Sequence, residues 1–198
     1  LPPTTAWLWI IASTMMNLIA VSAMLRAYEH GGFGLVYPIV RAVGVLGVVP
    51  LAALVAGDRV GATALLGVVI IVCALSLLAV EAAYDKSVNP RALLWSIVAG
   101  AALSLTIMSD AQGVRATQSA IAYGAATSIT NALVMSWFRR RQGSPLAQIA
   151  QTWTVALPAA VVAMISYLLI LWVWTGAPIA PAAALRDTSA IFALLIAV

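Results

Sequence analysis

The chain has 198 residues, of which 64% are hydrophobic and 8% charged, with a formal net charge of +4. Soluble domains carry roughly 25% charged and 45–50% apolar residues, so this composition belongs to an integral membrane protein and leaves no basic soluble face for a nucleic acid. A single cysteine, Cys73, and a single histidine, His30, leave no disulfide framework, thiolate metal site or helical His-Glu metal motif.

A membrane-spanning helix needs about 20 mainly apolar residues. The apolar runs predict seven, at roughly 6–28, 35–56, 62–80, 92–109, 119–138, 149–174 and 181–198. The first is followed by His30-Gly31-Gly32, and Glu29 and His30 are expected in that loop. The second carries Arg41 ten residues after Gly31, with Pro38 and Pro50 inside it; Pro158 lies inside the sixth. Each proline removes a backbone donor and can kink or break its helix. Gly57-Asp58-Arg59 leads into the third span, where Cys73 is expected to pack as a small hydrophobe. Polar turns at 85–90, 110–115 and 139–145 separate the next spans, and Thr175-Gly176-Ala177-Pro178 precedes the seventh, which carries Arg186. Small-residue clusters such as Gly44–Gly47 and Ala99–Ala102 let helix backbones approach closely in lipid.

Arg41 and Arg186 occupy matching contexts. Each lies ten residues after a loop glycine, and a shift of 145 residues superposes Gly31 on Gly176 and Arg41 on Arg186. Five crossings separate the two arginines, so their helices run in opposite directions and the repeat is inverted. Inverted repeats are a transporter signature, with the binding site where the repeats meet near the midplane. Completing a five-helix unit on each side requires two helices before Leu1 and one after Val198. The expected fold is therefore an all-α polytopic bundle, a 5+5 inverted repeat of which seven of ten helices are present. Residues 1–91 would supply the last three helices of the first repeat, and 92–198 the first four of the second.

Four stretches carry a family resemblance: Ala27-Tyr28-Glu29-His30-Gly31-Gly32 through Tyr37-Pro38-Ile39-Val40-Arg41; Gly57-Asp58-Arg59; Asp110-Ala111-Gln112-Gly113-Val114-Arg115 followed by Tyr123; and Leu185-Arg186-Asp187-Thr188-Ser189 before Phe192. In this order they resemble the ten-helix EamA-type members of the drug/metabolite transporter superfamily, over about helices 3 to 9. That family more usually has Gly-Glu-Arg after its fourth helix, and Glu at the position of Asp187. The resemblance implies a secondary transporter of a bacterial inner membrane, exporting or exchanging amino-acid-like or amphipathic metabolites by alternating access. It implies no cofactor and no enzyme activity.

The candidate cavity residues are Tyr37, Arg41, Tyr123, Trp172, Arg186 and Asp187. A guanidinium keeps its charge, so Arg41 and Arg186 either face a substrate or neighbouring acid or snorkel to the interface. Asp187 follows Arg186 on a different helical face; it either carries a proton, giving proton coupling, or forms a structural salt bridge. Tyr37, Tyr123 and Trp172 either stack on a substrate or anchor at the interface. Asp110 and Arg115 are expected to pair as a loop gate or to lie in a solvated turn. Arg139-Arg140-Arg141 should be a topological anchor. The positive-inside rule puts it in the cytoplasm, whereas the family topology, which is adopted at this point, puts it outside. A seven-helix receptor would lack a Schiff-base lysine, since Lys86 lies in a polar loop, and an embedded enzyme would want paired acids or a Ser/His set.

Overall fold

The computed structural model describes residues 3–58, 61–84, 89–140 and 145–189, all of whose regular structure is helical. Seven helices follow in order: α1 Thr4–His30, α2 Phe33–Val55, α3 Ala62–Tyr84, α4 Pro90–Thr117, α5 Ala120–Arg139, α6 Pro145–Trp174 and α7 Ile179–Asp187. Among the described residues four stretches are long and apolar enough to cross a membrane: Thr4–His30, Phe33–Val55, Pro90–Thr117 and Gln151–Trp174. α5 is less apolar because Thr127, Ser128, Thr130 and Asn131 interrupt it. Of the seventh expected span only the first part lies within the described residues.

Loop chemistry sets the boundaries. Pro90 opens α4, and the Asn89 side chain accepts the Arg91 N–H at 2.9 Å. α4 ends at Gln118, in the left-handed region at φ 51°, and Ser119 at once caps α5 by accepting the Ala122 N–H at 3.2 Å. The fourth expected span stopped at residue 109, but the helix continues through Asp110–Arg115 to Thr117. Asp110 and Arg115 both find partners along this extension, so no loop is needed to hydrate them. α2 runs unbroken through Pro38 and Pro50, and α6 through Pro158.

α4 is the central helix, packed most extensively on the antiparallel α1 and then on α2. Close approach explains the small residues here. A methyl placed on Gly100 would stand 2.8 Å from the Val40 carbonyl oxygen and 2.6 Å from the Val43 side chain. Ser104 adds a link, with its hydroxyl 2.9 Å from the Gly44 oxygen.

The bundle has two unlike ends. At one, Trp174, Ile179, Val114, Tyr123, Ala52 and Ile10 form the largest apolar core. The other end carries Arg26, Arg91, Arg139 and Arg140, with Arg26 stacked on Trp95 at 4.6 Å and Arg140 on Trp137 at 3.7 Å. α6 joins the core only through its last third: residues 157–166 are exposed, whereas Ile170, Leu171 and Trp174 are buried. The helices are therefore drawn together at the core end and α6 stands away from them toward the arginine end.

Candidate functional site

Asp110 is buried in the extension of α4, where three hydroxyls converge on its carboxylate. Ser13 of α1 donates to Oδ1 at 2.5 Å, Tyr123 of α5 donates to Oδ1 at 3.1 Å, and Tyr167 of α6 donates to Oδ2 at 3.2 Å. Four helices thus meet at one acid. Hydrogen bonds to a charged group contribute about 1.5–3 kcal/mol each, which offsets part of the desolvation of a carboxylate at this depth. Gly113 makes room for the cage: a methyl there would overlap the Tyr123 ring.

A cavity of about 370 Å³ opens beside Asp110, lined also by Asn17, Asn131, Tyr167, Trp174 and Arg186. Asn17 donates to the Asn131 side-chain oxygen at 3.1 Å, tying α1 to α5 across it. The Trp174 indole N–H is buried with no hydrogen-bond partner among the described residues. Arg186 likewise makes no hydrogen bond or ion pair among them. The cavity therefore holds an acid, a cation, two amides and a spare donor inside the bilayer-spanning part of the bundle. Polar groups at such depth mark ligand or ion pathways.

Arg41 and Asp187 form an ion pair, with Nη1 3.0 Å from Oδ1. Arg41 lies eight residues into α2 and Asp187 eight into the antiparallel α7, so each is ~12 Å from opposite ends at ~1.5 Å per residue. Held by Asp187 at this position, the Arg41 guanidinium takes the neighbouring-acid alternative. Tyr37 lies under the Arg41 guanidinium at 5.1 Å and stacks on Phe33 at 4.9 Å. It supports the arginine and does not line the main cavity. Arg41 does line a smaller cavity of about 150 Å³, which shares Asn17 and Leu103 with the larger one. Arg186 thus lines the larger cavity and Arg41 the smaller, with Asn17 and Leu103 between them.

A second ion pair lies at the core end. Arg115 donates through Nη1 and Nη2 to the two carboxylate oxygens of Asp58 at 3.0 and 3.2 Å. Its Nε donates to the Trp174 carbonyl at 3.0 Å and Nη2 to the Ala177 carbonyl at 3.0 Å. Asp58 Oδ2 in turn accepts the Ile179 N–H at 2.7 Å and caps α7. One guanidinium and one carboxylate hold the ends of α2, α4, α6 and α7 together. All five guanidinium protons are not needed for this, but the planar fork is, and a lysine could not reproduce it.

The expected partners change accordingly. Asp110 and Arg115 do not pair: five residues apart on one helix they face different ways, and each takes a partner from another helix. Trp172 is 66% exposed and points away from the cavity, while Trp174, two residues on and across the helix, is 1% exposed and lines it. Tyr123 is buried but does not line the cavity; it acts on it only through its hydrogen bond to Asp110. Asp187 takes the salt-bridge alternative. Ser13, Asn17, Asn131, Tyr167 and Trp174 were not anticipated; the one signal was the placement of polar residues inside apolar runs. Arg59 and Arg141 lie outside the described residues.

No protein-family model, no curated protein and no solved structure matches the chain.

Proposed function

We propose that the chain forms part of a secondary transporter, which moves a small polar or amphipathic metabolite across a bacterial inner membrane by alternating access. The observation that carries this reading is the cavity bounded by Asp110 and Arg186, opposite charges facing the same open-sided space among apolar helices. An amino-acid-like substrate would meet Arg186 with its carboxylate and Asp110 with its ammonium group. The Trp174 N–H, which has no hydrogen-bond partner among the described residues, supplies a further donor.

The unlike ends support a gating role for the Asp58–Arg115 clamp. Alternating access needs one face sealed while the other is open, and the clamp and the apolar core close the same end. Asp110 is the acid whose partners within the described residues are hydroxyls alone, which suits it to exchange a proton or a substrate cation. Arg41–Asp187 joins α2 to α7, the two helices whose arginines match in the sequence. The matched contexts of Arg41 and Arg186, 145 residues apart in the sequence, are what support the finer expectation of a 5+5 inverted repeat of the EamA type, with seven of ten helices in this chain.

Orientation follows from charge. Arg26, Arg91, Arg139 and Arg140 share one end, and the positive-inside rule assigns it to the cytoplasm. We give this precedence over the opposite topology that the family resemblance implies.

The test is counterflow in proteoliposomes loaded with a panel of amino acids and amphipathic solutes. Saturable exchange that falls at least tenfold in Asp110→Asn and Arg186→Gln supports the proposal. Exchange no faster than in empty liposomes, for every solute, removes it.

A further inference from the structure

Arg186 borders two spaces. Besides the polar cavity, it closes the inner end of a groove of about 460 Å³ on the outer surface between α6 and α7, lined by Val162, Ile165, Leu169, Val173 and Leu185. Val162, Ile165, Leu169 and Leu185 are exposed, which gives the groove an open, apolar face. Its volume falls within the range of about 300–1,000 Å³ typical of ligand sites.

The chemistry of the two ends differs. Apart from Ser166 the groove wall is apolar along α6 and would take a hydrocarbon chain. At its inner end stands a guanidinium that has neither hydrogen bond nor ion pair among the described residues, although it is fixed in charge and set in an apolar wall. The donors of such a group are open to an acceptor, and a carboxylate meets them best. Its two acidic neighbours lie within electrostatic reach but not in contact: Asp187 gives Oδ1 to Arg41 and keeps Oδ2 without a hydrogen-bond partner among the described residues, and Asp110 accepts from three hydroxyls.

We propose that the α6–α7 groove binds a single-chain acyl amphiphile with a carboxylate headgroup, the chain lying along α6 and the carboxylate on Arg186. A carboxylate fits better than a phosphate dianion. One guanidinium balances one negative charge, in the bidentate geometry that guanidinium and carboxylate share, and Asp187 and Asp110 nearby would repel a second. Because Arg186 also lines the inner cavity, the groove is a lateral doorway: the headgroup passes from lipid to the polar region without crossing the sealed end. The idea rests on the transport reading for the passage inward, and not for the binding itself.

The experiment uses the protein in lipid nanodiscs with a long-chain fatty acid carrying a diazirine near its terminal methyl, followed by photolabelling and peptide mass spectrometry. Labels are expected on α6 between Val162 and Val173. They should be competed by the unlabelled fatty acid, and at least tenfold less well by the alcohol of the same chain length. Arg186→Gln should weaken binding at least tenfold and Arg186→Lys should recover much of it. Leu169→Trp, which fills the groove and leaves Arg186 in place, should abolish labelling. Equal competition by acid and alcohol, or unchanged labelling in Arg186→Gln, overturns the proposal. If Arg186→Gln does not fold, the acid–alcohol comparison and Leu169→Trp decide. Labelling as predicted without counterflow of any solute upholds the site and removes transport. Counterflow of water-soluble solutes without labelling removes the groove and leaves transport.

Discussion

Arg41 and Asp187 meet at 3.0 Å near the middle of the bundle, joining α2 to α7 across 146 residues of chain. The contact gives one of the two arginines a fixed partner, while the other, Arg186, faces the cavity with no hydrogen bond or ion pair among the described residues. Two arginines in similar sequence contexts therefore stand in different surroundings: one ties α2 to α7, the other lines the cavity.

If Arg41–Asp187 is a structural tie, removing one charge should harm more than removing both. Arg41→Gln or Asp187→Asn alone leaves an uncompensated charge at depth and should destabilise by about 3–5 kcal/mol. The double variant Arg41→Met with Asp187→Leu should recover most of that loss. Unfolding in detergent micelles, followed by circular dichroism, measures it. Additive losses would show that the two side chains act independently.

The hydroxyl cage around Asp110 separates folding from transport. Tyr123→Phe and Tyr167→Phe each remove one hydrogen bond to a carboxylate and should cost about 1.5–3 kcal/mol. Gly113→Ala forces the Tyr123 ring away from its place and should cost about 1–3 kcal/mol by overpacking. Asp110→Asn keeps the shape and should leave the melting temperature within a few degrees of the parent while exchange falls at least tenfold. Equal loss of stability and exchange in all four variants would make Asp110 merely structural.

The Asp58–Arg115 clamp predicts a gate at the core end. In a Cys73→Ser background, a cysteine placed at Ile179, which is buried beneath the clamp, should react slowly with a water-soluble thiol reagent. Adding Asp58→Asn removes the bidentate partner and should raise that rate at least tenfold. No change in rate would mean that the apolar core alone seals this end.

Orientation is tested by the same chemistry. A cysteine at Arg140 should be labelled by an impermeant reagent only after cells are opened, and one at Ala177 in intact spheroplasts. The reverse pattern would favour the topology implied by the EamA resemblance over the charge rule.

The helices were legible from the sequence because apolar runs of sufficient length leave little choice in a bilayer. The end of α4 was not. Asp-Ala-Gln-Gly-Val-Arg has the composition of a turn, and only distant partners, Ser13 and Tyr167 for Asp110 and Asp58 for Arg115, make it helical. Trp172 and Trp174 differ by two positions, about 200° around a helix, and no periodicity in an apolar run tells which faces inward. The arginines stood out as charges in hydrocarbon, yet the partner of Arg41 lay 146 residues away. Ser13, Asn17 and Tyr167 became visible as a site only once four helices had brought them to one carboxylate and one cavity.

The central claim is that a water-accessible polar path runs through the membrane-spanning part of this bundle. It is tested most directly with Asn131→Cys, which places a thiol in the cavity wall, and Leu133→Cys, an exposed apolar position on the same helix. Both are made in the Cys73→Ser background and reconstituted in liposomes. A membrane-impermeant methanethiosulfonate reagent should modify the cysteine at 131 from the arginine end and leave that at 133 untouched. If the cysteine at 131 is as inert as that at 133 from both sides, the cavity is not a path and the account fails.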